Sequence, residues 1–230
     1  MNALSIVLLF ASVIAGGFLA EFLNSKKDKS IQLLLTFSGA YLLAISILHL
    51  IPEIFSAKNT TSIGLFILIG FLIQIILEFF SKGIEHGHLH KEDTISLSVL
   101  ISLCLHALLE GIPLGGDLHS HRHNSLLTGI VLHKIPVSIL LMTFFLKSKM
   151  PKQKAYSLLI LFAFMSPIGV ISGNLLALIE NYQIEITAIV TGMLLHISTT
   201  ILVESTNTHE LSIQKILAII IGALIVFLTL

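Results

Sequence analysis

Eight stretches of the chain stay apolar for about 20 residues at a time, separated by short polar breaks, which is the pattern of helices that cross the hydrocarbon of a bilayer. They fall at about 3–23, 30–54, 62–81, 94–116, 124–147, 155–179, 185–206 and 212–230. Within each stretch the apolar residues run on without alternation, so they predict helices and not the strands of a β-barrel. The links are brief and leave no room for a separate soluble domain. The expected architecture is therefore one all-α membrane domain over residues 1–230, with eight transmembrane helices in a single bundle. The first run lacks a basic leader and a small-residue cleavage site, and is read as a spanning helix instead of a removed signal.

Composition strengthens this picture. The 230 residues are 55% hydrophobic and 11% charged, against about 25% charged in a soluble domain. Mean hydropathy is +0.97. The formal net charge is zero, so the overall balance points to neither nucleic acid nor an acidic partner. The distribution of charge says more. Lys26, Lys27, Lys29, Lys82, Lys91, Lys147, Lys149, Lys152, Lys154 and Lys215 fall in alternate links, whereas only Lys58 and Arg122 fall in the others. Cytoplasmic loops keep the positive charge, so both termini are expected to be extracytoplasmic. Low charge and short loops fit a bacterial inner membrane. The single cysteine, Cys104, has no intramolecular disulfide partner and reads as a small buried thiol.

Ionisable residues inside apolar spans are costly unless they meet a partner, a water-filled cavity or a metal. Span four reads HALLEGIPLG from His106 to Gly115, and the spacing of four puts His106 and Glu110 on one helical face. Imidazole and carboxylate together suit a divalent transition metal. Span five reads LHKIPVSILL from Leu132, with His133, Lys134 and Pro136. Both spans thus place a proline shortly after a histidine, a pattern that predicts two broken helices lining a site, as in transporters. A lone intramembrane histidine more often stitches helices together; four ionisable residues on neighbouring spans favour a site. His49, ahead of Pro52 and Glu53, is a further ligand candidate, with interfacial anchoring as its competitor. His196 and Glu204 fit a pathway or interhelical hydrogen bonds equally well, and Ser166, Pro167 and Gly169 resemble another broken helix. Gly16, Gly17, Gly39, Gly70, Gly169, Gly173 and Gly192 read as packing contacts.

Two histidine-rich loops flank the spans. Residues 85–90 carry His86, His88 and His90, and residues 119–123 carry His119, His121 and His123. Such tracts capture borderline metals and also occur as solvated linkers. On opposite faces of a membrane metal site they would raise local metal concentration at entry and exit.

These residues resemble the ZIP (Zrt/Irt-like) family of divalent metal transporters over essentially the whole chain. HALLEGIPLG is similar to the family's span-four signature and HKIPVS to its span-five signature, His-Glu-x-Pro-x-x. The stretch SGAYLLAISILHLIPE, Ser38 to Glu53, resembles the segment that ends in His-Leu-x-Pro, and MSPIGVISG, Met165 to Gly173, resembles the span-six Pro-x-Gly. The resemblance implies a dimer-forming carrier that moves Zn2+, and in some members Fe2+, Mn2+ or Cd2+, into the cytoplasm between spans four and five, often through a two-metal site.

Carried over residue by residue, the family's ligands match at His106 and Glu110. Its Asn beside the first His is Ala107 here, its acidic residue after the span-five His is Lys134, the ligand one turn later is Val137, and an acidic residue before the span-six proline is Ser166. Most ligands of a second metal are therefore missing. The Lys134 ammonium suits the place of that second cation, leaving one metal held by His106, Glu110, His133 and His49. Three imidazoles and a carboxylate suit tetrahedral Zn2+. The expected function is metal transport and not catalysis. Two other classes compete: a transport-inactive metal-binding or sensing homologue, which Val137 and Ser166 favour, and an intramembrane metal-dependent hydrolase, which would need a segment such as His-Glu-x-x-His that the chain lacks.

Overall fold

Residues 3–22, 28–57, 60–83, 97–115, 120–148, 150–177, 182–207 and 212–228 are described by a computed structural model. Among them every regular element is helical. Helix α1 spans Ala3–Phe22, and α2, Asp28–Ile45, runs through a π-helical turn, Ser46–Leu50, into α3, Ile51–Ala57. Next come α4, Thr60–Ser81, and α5, Leu97–Gly111, which tightens into a 3-10 turn at Ile112–Gly115. The chain ends with α6, Ser120–Lys147, α7, Lys152–Ala177, α8, Gln183–Asn207, and α9, Ile213–Phe227. Seven helical stretches are long and apolar enough to cross a membrane. The eighth, α9, is apolar but only 15 residues long, shorter than the 212–230 stretch of the sequence.

Two of the anticipated breaks are absent. Helix α6 continues through Pro136 and α7 through Pro167. A proline removes one N–H and crowds the carbonyl four residues back, but the rest of the helical ladder survives on either side of it. Only span four unwinds as expected, where Pro113 follows Gly111 and α5 gives way to the 3-10 turn. A break that was not anticipated lies in span two. There the Ile51 N–H bonds back to the Ser46 carbonyl, five residues away. Widening this turn accommodates Pro52, whose ring would otherwise press on the helix.

The helices pack in four principal pairs, α1 with α6, α2 with α9, α4 with α8 and α5 with α7. Helix α6 and the α2–α3 span are the most enclosed, while α4 is the least. Leu65, Leu68, Leu72, Ile76 and Phe79 of α4 point outward, as a lipid-facing helix requires. Around α6 one core gathers Val13, Leu103, Ala107, Val137, Phe145, Leu159 and Phe162, and another gathers Leu9, Leu42, Ile45, Leu126, Ile130 and Leu194.

Glycines set how close the site-bearing helices come. A Cβ on Gly111 or Gly115 would strike the backbone of α7, and one on Gly169 or Gly173 would strike the backbone of α5 and its 3-10 extension. Each helix therefore presents two glycines four residues apart to the other, a small-residue seam that brings the two backbones together in lipid.

Candidate metal site

Span four supplies the first half of the site. His106 and Glu110 sit one turn apart on α5, with His106 Nε2 3.0 Å from Glu110 Oε1. Both are buried, at 2% and 0% exposure. Helix α6 brings the second half. Lys134 Nζ donates to Glu110 Oε2 at 2.8 Å, and the His133 ring stands at 84° to the His106 ring with centroids 6.4 Å apart. Metal-ligating atoms of His106, Glu110 and His133 lie within 4.8 Å of one another, and all three residues are buried.

Two nitrogens and an oxygen converging in a buried site are a donor set that could hold a divalent metal. At Zn bond lengths of roughly 2.0–2.2 Å, tetrahedral ligands stand about 3.3 Å apart. His106 and Glu110 are already near that separation, and small side-chain movements close the third corner. Three protein donors leave the fourth tetrahedral position to water or another ligand.

Lys134 changes the electrostatics. Its ammonium neutralises Glu110 and lies 5.5 Å from the centre of the Phe162 ring, whose π face offers further stabilisation away from water. The other positions at which the resemblance expects second-metal ligands serve structure. Ser166 Oγ donates to the Ala107 carbonyl at 2.7 Å, joining α7 to α5, and Val137 is buried in the apolar core.

The remaining candidates divide. His49 lies in the π-helical turn, is 7% exposed, and its Nε2 has no hydrogen-bond partner among the described residues. It is not in the group whose ligand atoms converge within 4.8 Å. His86, His88, His90 and His119 lie outside the described residues. Ser120–His123, read from sequence as part of a loop, instead form the start of α6, since no proline or glycine interrupts the chain before Gly129.

Two polar residues of α4 escaped the sequence reading. Gln74, fully buried, places Oε1 3.1 Å from His106 Nδ1. Glu78, one turn on, pairs with His196 Nε2 of α8, and the Phe71 ring stands at 82° to that imidazole, with ring centroids 4.9 Å apart. The available signal was a glutamine and a glutamate four apart inside FLIQIILEFF.

The family described as ZIP zinc transporter matches residues 83–230, which hold α5 to α9 and every residue of the three-ligand cluster. No curated protein matches the chain.

Proposed function

The chain belongs to the ZIP zinc transporter family, whose members carry divalent metal ions across membranes and are not enzymes, and from that premise we propose that it moves Zn2+ into the cytoplasm through the site between α5 and α6. The observation that carries this reading is the convergence of His106, Glu110 and His133 in a membrane-spanning bundle. Fe2+, Mn2+ and Cd2+ are secondary cargoes: the same nitrogen and oxygen donors accept them, Mn2+ and Fe2+ with lower affinity than Zn2+.

In this reading one cation occupies the site at a time. Glu110 lends one oxygen to the metal and one to Lys134, whose fixed positive charge takes the place of a second cation. His49 is the outer ligand, met by the cation beyond the three-residue cluster. The histidines of residues 85–90 and 119–123 collect metal on either face. All eight helices span, including α9 with the residues that flank it, both termini are extracytoplasmic, the protein resides in a bacterial inner membrane, and it assembles as a homodimer. The lysine distribution supports the orientation.

Uptake by purified protein in sealed liposomes tests this. Zn2+ accumulates, Fe2+ and Mn2+ accumulate more slowly, and His106→Ala and Glu110→Ala each abolish uptake. Lys134→Ala changes the uptake rate or the bound-metal stoichiometry; if neither moved, the charge-substitute role would be wrong. One observation favours a second reading, a transport-inactive metal sensor: Glu110 already has one oxygen committed to Lys134. Tight metal binding without accumulation would support it.

A further inference from the structure

Gln74 belongs to the least enclosed span, yet its side chain is 0% exposed. Burying an amide in a lipid-embedded helix is costly unless its polar atoms are engaged. Its Oε1 lies 3.1 Å from His106 Nδ1. A carbonyl oxygen only accepts, so this contact is a hydrogen bond in the tautomer that carries its proton on Nδ1. An imidazole protonated at Nδ1 keeps its lone pair on Nε2, the atom that faces Glu110.

We propose that Gln74 is a positioning residue that fixes the ring orientation and tautomer of His106, so that Nε2 is presented to the cargo cation. The inference rests on the reading of His106 as a metal ligand. Gln74 does not itself reach the metal; it acts through the far side of the ring, as the outer partners of metal-bound histidines do. Holding α4 against α5 is a different task and has its own device, the Ser102 hydroxyl donating to the Leu77 carbonyl about one turn away. The Gln74 carbonyl oxygen, by contrast, is aimed at the ring of the ligand.

Zn2+ uptake kinetics in liposomes, with 15N NMR of histidine-labelled, zinc-loaded protein, test the proposal. Gln74→Leu raises KM about 10–100-fold, the usual effect of losing such a partner, with a smaller change in maximal rate. Gln74→Glu keeps an acceptor at the same reach and leaves KM close to that of the unsubstituted protein. The unsubstituted protein shows a His106 signal protonated at Nδ1, and Gln74→Leu shifts it. A zinc-loaded His106 protonated at Nε2 in the unsubstituted protein would overturn the proposal even if neither variant folded. Equal rises in KM for Gln74→Leu and Gln74→Glu would overturn it too. His106→Ala separates the two levels: uptake that survives it sinks the ligand reading, whereas lost uptake beside an unaltered Gln74→Leu sinks only the role of Gln74.

Discussion

His106 with Glu110 and His196 with Glu78 are both histidine–carboxylate pairs within the apolar spans, and they differ in almost everything but chemistry. His106 and Glu110 share one helix, are 2% and 0% exposed, and meet His133, Lys134 and Gln74 from two further helices. His196 and Glu78 come from α8 and α4 and are 13% and 23% exposed. Among the described residues no third histidine, cysteine or carboxylate joins them in a metal-sized group. Convergence, and not the presence of an imidazole beside a carboxylate, distinguishes a metal site from an interhelical strut. Helices α4 and α8 also need no strut to stay together, because Gly70 and Gly192 let each backbone touch the other.

The sharpest way to break this contrast is to remove Glu110. Glu110→Ala strips the site of its anion and leaves the 2%-exposed Lys134 ammonium without its 2.8 Å partner. Uptake is lost, and unfolding in detergent shows a cost of about 3–5 kcal/mol, the usual penalty for halving a buried ion pair. Adding Lys134→Met restores most of that stability but no uptake, since the metal ligand is still absent. If the single substitution were harmless to stability, Glu110 would not be the electrostatic centre described here.

A middle-sized effect separates packing from polarity in the second region. Gly192→Ala places a methyl against the Ile67 carbonyl and the Phe71 backbone nitrogen, where nothing flexible can yield. Such overpacking costs about 1–3 kcal/mol. Gly64→Ala is the control on the same pair of helices, because nothing lies within 4 Å of its added carbon. It leaves stability unchanged or raises it by up to about 1 kcal/mol through helix propensity. Thermal unfolding of the two variants in one detergent compares them directly, and equal midpoints would show that close backbone approach does not hold α4 to α8.

How much of this was legible in the chain follows from where the information resides. Long apolar runs report spans directly, so the helix bounds lie within a few residues of those read from sequence. The spacing of His106 and Glu110 reports a shared face because both belong to one helix. The approach of His133 to that face is a tertiary fact, anticipated by the ionisable residues that the two neighbouring spans share and by the resemblance of HKIPVS to a known motif. Proline was read too literally: Pro136 and Pro167 sit in unbroken helices, while Pro52 follows a π turn that contains His49. Gln74 was missed because a single amide in an apolar run has no pattern of its own. Its meaning appears only when α5 turns His106 toward it.

The smallest effect is the most direct measure of what the Glu78–His196 pair does. A double-mutant cycle with Glu78→Gln and His196→Phe isolates the coupling between the two side chains from the loss of either alone. Polar contacts between membrane helices average about 0.6 kcal/mol and reach about 1.7, and partial exposure of this pair argues for the lower part of that range. Zn2+ uptake by both single variants stays near that of the unsubstituted protein, because the proposed cation ligands lie on α5 and α6. A coupling well above that range, or a loss of uptake as deep as that of Glu110→Ala, would show that the second pair is more than a strut and that convergence alone does not separate the two regions.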